Sequence, residues 1–380
     1  MTNKGYKIVT SKNKPVRGLV NQDRKHEKRK EYIMKINTKS VRLSLNERKS
    51  IIDNAICNSP AAVIEAIREM GLKNPVQTEN AWHEFYSIEN GKPVFHTQLL
   101  KNYLFEKGFM TLQQRDNDKC TCKEIAAAVF KCFQAGVFPV KATKQTGIKG
   151  YTPVRLSRDF SGKMRGKWAF SSLSLINSFC LARMKNPELV CFYCYVEKAL
   201  KQNVIGMLNY IQNFFFMTAE NLPDILIPVM NDTCLKLRDG IRIESFGDIQ
   251  DTNHQKFYTK LAYKNPLWSF TQWSKNPAIV CKVFDEMGKP ENLKFGLSMS
   301  RINKLDIDCG KWIRTGYIDF MFVVCDNDND RDHLLDIPFS RPCMCEEKSC
   351  YELCRACYLK ESNFMKNGKR PALAVERLRK

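Results

Sequence analysis

Ile241-Arg-Ile-Glu-Ser-Phe-Gly-Asp248 and Trp268-Ser-Phe-Thr-Gln-Trp-Ser-Lys275 are two short apolar runs on either side of a helix-forming stretch at 251–264. A strand, a helix and a second strand of these lengths make one βαβ unit, which pairs its strands in parallel. The same rhythm continues in both directions. Strands are expected at 168–176, 240–246, 267–274, 293–300 and 316–325, with helical stretches at 195–218, 223–238, 251–264 and 276–288. Such alternation predicts an α/β fold with a parallel sheet. The strands end in Ser174, Asp248, Ser274 and Ser300. Polar groups at strand ends favour a partial (β/α) barrel with its site at the C-terminal ends of the strands. A doubly wound open sheet is the alternative.

Residues 1–150 have a different texture and read as a basic arm followed by a mostly helical extension. Ser44-Leu-Asn-Glu47 has capping-box spacing and opens a helix to about Cys57. Ser59-Pro60 starts a second helix that stops near Gly71. Further helices are expected over Thr97–Lys107 and Lys123–Gln134, and one short strand over Tyr32–Ile36. Gly147, Gly150 and Pro153 mark the boundary with a core domain at 151–335. Residues 336–380 form a cysteine-rich tail.

The chain has 380 residues, 43% of them hydrophobic, including 23 Phe, which is enough for a full-sized core. No apolar run approaches the roughly 20 residues of a membrane span, and the N-terminus has no secretory signal core. The formal net charge is +21, and residues 1–50 hold 15 Lys or Arg against 4 Asp or Glu. A field of that sign attracts nucleotides, nucleic acid or other anionic partners at long range. The plainer reading of the same arm is a solvated basic segment.

Sixteen cysteines without a secretory signal, and in tight clusters, point to metal in a reducing, cytosolic compartment. Cys180, Cys191 and Cys194 follow the first core strand and read as the ligands of a [4Fe–4S] cluster. Three thiolates hold three irons and leave the fourth open to a substrate or cofactor. Tyr193 and Tyr195 flank the last cysteine and are placed to shield the cluster. In the tail, Cys343, Cys345, Cys350, Cys354 and Cys357 pack five ligand residues into a charged stretch. They read as a second metal site, a [4Fe–4S] cluster or a zinc. Cys120 and Cys122 are read as free of metal. His83, His96, His254 and His333 have no zinc-hydrolase spacing, and no dinucleotide, Walker or nucleophile-elbow motif occurs.

Several of these parts together resemble the phage gene-product-88 family and, more loosely, radical SAM iron–sulfur proteins. They are Ser161-Gly-Lys-x-x-Gly-Lys-Trp168, the strand Ala169–Ser174, the cysteine loop, the strands ending at Asp248 and Lys275, and Cys354-Arg-Ala-Cys357-Tyr. The spacing of the first three cysteines is C-x10-C-x2-C, where radical SAM enzymes usually have C-x3-C-x2-C. The resemblance implies a radical-SAM-like enzyme in a bacterial host cell, binding S-adenosyl-L-methionine (SAM) and served by an electron donor. It also implies that Glu244 or Asp248 offers an acidic group to the SAM amino group. The reading of the residues leaves Asp248 an alternative role as the cap of the next helix. Ser274, Ser298, Ser300 and Arg301, at successive strand ends, would complete a pocket for hydroxyl or carboxylate groups. Trp268 and Trp273 are expected in the core. With the basic charge, the substrate becomes a nucleotide or nucleic acid. The competing reading is a nucleic-acid-binding protein without catalysis, stapled by zinc or clusters.

Overall fold

Five parallel strands, adjacent in space in the order in which the chain makes them, form the middle of an eight-stranded sheet. The computed structural model describes residues 59–78, 81–158, 167–200, 203–231, 240–305, 308–337, 340–343 and 372–377. All belong to one unit, Lys49–Lys380. The expected basic arm, the strand at Tyr32–Ile36, the helix at 44–57 and four tail cysteines lie outside the described residues.

The first part of the chain comprises α1 (Pro60–Glu69), β1 (Pro75–Gln77), the hairpin β2 (Tyr86–Glu89) and β3 (Lys92–Phe95), then α2 (Thr97–Glu106), α3 (Leu112–Asp116) and α4 (Cys122–Gln134). It continues through β4 (Val140–Lys144), β5 (Ile148–Lys149) and β6 (Tyr151–Thr152). Local chemistry sets the helix starts. Ser59 caps α1 with Pro60 in its first turn, and Thr121 and Glu124 form a reciprocal capping box on α4. The stretch is less purely helical than expected, because β4 pairs with β1 in parallel and β6 in antiparallel fashion.

The large sheet uses β7 (Leu156–Arg158), β8 (Trp168–Phe170), β10 (Ile241–Ile243), β11 (Phe270–Ser274), β12 (Leu293–Ile302), β13 (Phe320–Cys325), β14 (Ser340–Pro342) and β15 (Ala372–Arg377). The short β9 (Val229–Met230) pairs with β5 instead. Strand order is β7-β8-β10-β11-β12-β13-β15-β14, parallel throughout except at β7–β8. From β8 to β13 the order never reverses. Right-handed crossovers then carry the connecting helices to one face of that stretch. Consistent with this, α8 (Thr252–Lys264) and α9 (Pro277–Met287), which link β10 to β11 and β11 to β12, pack side by side. The remaining helices are α5 (Ser178–Arg183), α6 (Val196–Leu200), α7 (Val204–Met217), α10 (Cys309–Ile313) and α11 (Asp328–Leu335).

Burial follows from this layering. Every residue of β12 from Leu293 to Ser300 is buried, as expected of a strand covered on both faces. Gly296 is required there, since a Cβ would fall 2.1 Å from the ring of Phe320 on β13. One hydrophobic core runs from Val63 and Ile67 on α1 through α4 and α7 to Val375 on β15. The α7 side chains Met207, Leu208, Ile211 and Phe216 lie fully inside it, each burial stabilising by roughly 1.5–3 kcal/mol.

The expected helix at 223–238 does not form over its described part. Asp224–Leu226 is a single 3-10 turn and Val229–Met230 is a strand. Pro228 disfavours the helical conformation at Ile227, which is extended. The expected helix at 195–218 divides into α6 and α7, with Asn203 capping the second through the Gly206 N–H. No helix among the described residues is long and apolar enough to cross a membrane.

Candidate metal and cofactor site

Because β8, β10, β11 and β12 are parallel, the segments that follow them emerge along one edge of the sheet. The loop after β8 runs Ser171-Ser-Leu-Ser174 through the interior and ends at Asn177. This residue caps α5, its Oδ1 accepting the Cys180 N–H at 3.1 Å. Its amide nitrogen donates to the Asp248 carbonyl at 2.6 Å. Asn177 therefore fixes both the first cysteine and the loop after β10. Sequence reading missed it, although an Asn directly before a short apolar helix is a cap signal.

Cys180 is buried on α5, and Cys191 and Cys194 are half-buried, in and just after a 3-10 turn at Val190–Tyr193. Burial pushes the Cys180 thiol well up, and the nearby Asp248 and Cys191 reinforce this against Lys275. Burial also raises Cys194, opposed by the Val196 N–H and by the Ser174 hydroxyl, 4.0 Å from its sulfur. Asp248, Cys191 and Lys275 thus lie within electrostatic reach of Cys180, and Cys191 and Lys275 within reach of Cys194. In kind they fit an iron–sulfur centre, three cysteines with no histidine. Among the described residues, however, no three His, Cys, Asp or Glu side chains are grouped as a ready metal shell.

Asp248 is buried, and its carboxylate knits two strand ends together. Oδ1 accepts from the Ser274 hydroxyl at 2.5 Å and from the Ile249 N–H at 2.7 Å, and Oδ2 accepts from the Lys275 N–H at 3.0 Å. Burial raises its pKa, with Lys275 and these donors opposing. It does not cap α8. Asp251 does, through the His254 N–H, because the chain turns through three more residues before the helix begins.

Glu244 is tied inward. It has a left-handed backbone at φ +59°, a conformation that strains a non-glycine residue. Its carboxylate accepts from the Ser172 N–H and hydroxyl and, at 2.5 Å, from the Tyr258 hydroxyl. His254 Nε2 stands 3.0 Å from Oε1, without the alignment of a hydrogen bond. Gly247 closes over this cluster. A Cβ there would sit 2.4 Å from Ser172 Oγ and 2.5 Å from Glu244 Oε2. The glycine thus permits an approach to Glu244 and Ser172.

The end of β12 reaches the cysteine loop. Ser298 and Ser300 are buried, whereas Arg301 is exposed and forms an isolated antiparallel bridge with Leu189. Phe192, Tyr193 and Tyr195 expose about half of their surface, and the Tyr195 hydroxyl donates to the Ser245 carbonyl at 2.8 Å. Beside Cys194 lies a cleft of about 280 Å³, its wall including Leu175, Met184 and Phe192 together with Lys123, Lys185 and Glu197. Trp268 is buried, and Trp273 is only partly so, lying edge-on to Phe320 and facing Arg242. Cys343 is half-buried at the end of β14, its N–H on the Val375 carbonyl. Cys345, Cys350, Cys354 and Cys357 lie outside the described residues. Cys120 is half-buried and Cys122 buried.

Compared with known families, curated proteins and solved structures, the chain has no match to any family model, any curated protein or any solved structure.

Proposed function

We propose that this protein is an iron–sulfur enzyme of radical SAM type, with Cys180, Cys191 and Cys194 holding a [4Fe–4S] cluster. The observation that supports this reading is that Asn177, which caps the helix of Cys180, also holds the Asp248 carbonyl, while the Ser174 hydroxyl stands 4.0 Å from the Cys194 sulfur, all where parallel strands end. The unreversed order β8 to β13 supports a partial (β/α) barrel, a fold whose sites lie at that edge. Fold analogy alone does not establish function, so the residues carry the argument.

When bound, such a cluster supplies one electron to cleave SAM and so generate a radical. The chain's own residues position and shield. Asn177 holds the start of α5, and with it Cys180, against the 248–250 loop. Asp248 fixes Ser274 and Lys275 at the neighbouring strand end. Phe192, Tyr193 and Tyr195 restrict water around the last two thiols. The cleft beside Cys194, with two lysines against one glutamate, suits an anionic substrate, which we take to be a nucleotide or nucleic acid. A second cluster or a zinc on Cys343, Cys345, Cys350, Cys354 and Cys357, an external electron donor, and a cytoplasmic location belong to the same proposal.

The test is purification without oxygen, followed by iron, sulfide and zinc analysis and electron paramagnetic resonance of the reduced protein with and without SAM. Iron with sulfide, lost from the first site in Cys191→Ala, and a spectrum altered by SAM are expected. Zinc without sulfide would overturn the proposal in favour of a zinc-stapled nucleic-acid-binding protein.

A further inference from the structure

Away from the cysteines, a second group of side chains gathers positive charge and hydrogen-bond donors, one of them without an acceptor. Lys141 and Thr143 are alternate residues of β4 and so share one face of the strand. Arg155 Nη1 donates to Thr143 Oγ1 at 2.8 Å, which brings the guanidinium to that face. Gln145 follows at the end of the strand. Its Oε1 accepts the Leu156 N–H at 3.0 Å, which fixes the amide orientation beside Arg155. Its Nε2 is buried without a partner.

The backbone under these groups is held from behind by α7. Gln212 exchanges hydrogen bonds with both the N–H and the carbonyl of Lys141, at 2.7 and 3.0 Å. Asn213 does the same for Arg155, at 2.7 and 3.0 Å. Both amides are fully buried. Two neighbouring polar residues inside an apolar helix thus fix the main chain at the two cationic positions. The ring of Trp82 lies 5.2 Å from the Lys141 ammonium and gives the site one aromatic wall.

No carboxylate among the described residues pairs with either cation. Burial lowers Arg155 to about 10, and burial plus the charge of Arg155 lowers Lys141 to about 8, so both are charged at pH 7. Two like charges held together, beside a buried donor with no acceptor, are costly unless an anion completes the set. Two cations, a hydroxyl and an amide N–H match a doubly charged oxyanion, and a guanidinium is well shaped for phosphate.

We propose that Lys141, Thr143, Gln145 and Arg155 form a binding site for a dianionic phosphate group, free or at the end of a larger ligand. The site shares no residue with the cysteine cluster and stands whether or not that cluster binds iron.

The test titrates inorganic phosphate into the full-length protein in chloride buffer at pH 7, by calorimetry and by the thermal unfolding midpoint. Saturable binding and a rising midpoint are expected in the wild type. Arg155→Met should weaken binding roughly tenfold or more, as expected for a charge-assisted contact, and Gln145→Leu should weaken it less. Without phosphate, Arg155→Met should be no less stable than wild type, since it removes an unpaired charge. Gln145→Leu carries the comparison if Arg155→Met does not fold. Adenosine monophosphate binding more tightly than phosphate would identify the end group of a larger ligand, and equal affinity would identify free phosphate. No saturable binding, a midpoint shift reproduced by chloride of equal ionic strength, or affinity unchanged in the variants would overturn the proposal.

Discussion

The Ser274 hydroxyl donates to Asp248 Oδ1 at 2.5 Å, so the last residue of β11 is fastened to the loop that follows β10. The same carboxylate receives the N–H groups of Ile249 and Lys275. Asp248→Ala leaves these donors buried without an acceptor. Each lost partner of this kind costs about 1–3 kcal/mol. With some relaxation we expect a total loss on the order of 2–4 kcal/mol. Urea denaturation checks it, and an unchanged midpoint would show that the carboxylate does not hold the two strand ends.

Gly247→Ala tests the closure over Glu244. The added methyl would meet Ser172 Oγ and Glu244 Oε2 at about half an ångström inside the closest ordinary contact. Neither atom is the free end of a flexible chain, since each holds the other. Overpacking of this kind costs about 1–3 kcal/mol, to be read as a fall in thermal midpoint. Tyr258→Phe in the same background checks the mechanism. If the methyl acts by displacing the Glu244 carboxylate, the two losses are less than additive.

Lys141 gives the protein a signature in alkaline solution. Its pKa falls from the ordinary 10.5 to about 8 through burial, with Arg155 adding repulsion. Between those values the unfolded chain binds more protons than the folded one, so stability climbs with pH. The penalty is fully present below about 8 and is gone near 10.5. In phosphate-free buffer, Lys141→Met should be the more stable protein at pH 7, and its advantage should vanish by pH 10.5. Urea midpoints of the two proteins across that range decide it. A difference independent of pH would mean that the ammonium carries no such penalty.

The parts of this structure legible in the sequence are those set locally. The alternation of β10, α8, β11, α9 and β12 was readable because Pro277 marks a helix start and each apolar run matches one layer. Strand lengths were overread at 168–176 and 240–246, since Ser171–Leu175, Glu244 and Ser245 are buried outside any strand, the two segments joined only by isolated backbone bonds such as Ser174 N–H to the Phe246 carbonyl. Apolar and small residues signal burial, not hydrogen-bonding partners. At the site, Asp248 and Ser274 were singled out as polar strand ends, yet their bond to each other spans 26 positions and leaves no local trace. Glu244 was expected to face a ligand, while Tyr258 and Ser172, 14 and 72 positions away, occupy its oxygens. The donors around Arg155 escaped notice for the same reason, since Gln212 and Asn213 reach them from about sixty to seventy residues further along.

Strand order also bears on how the polypeptide matures. β15 follows β14 in the chain but lies between β13 and β14. While the ribosome is still delivering residues 372–377, the apolar edge Phe320–Cys325 has no permanent neighbour, and β14 has nothing to pair with. A nascent chain therefore carries an open, adhesive sheet margin until a late segment slots into the gap. Completion is an insertion between two elements already made, so the yield of native protein should depend on how well that margin is guarded during synthesis.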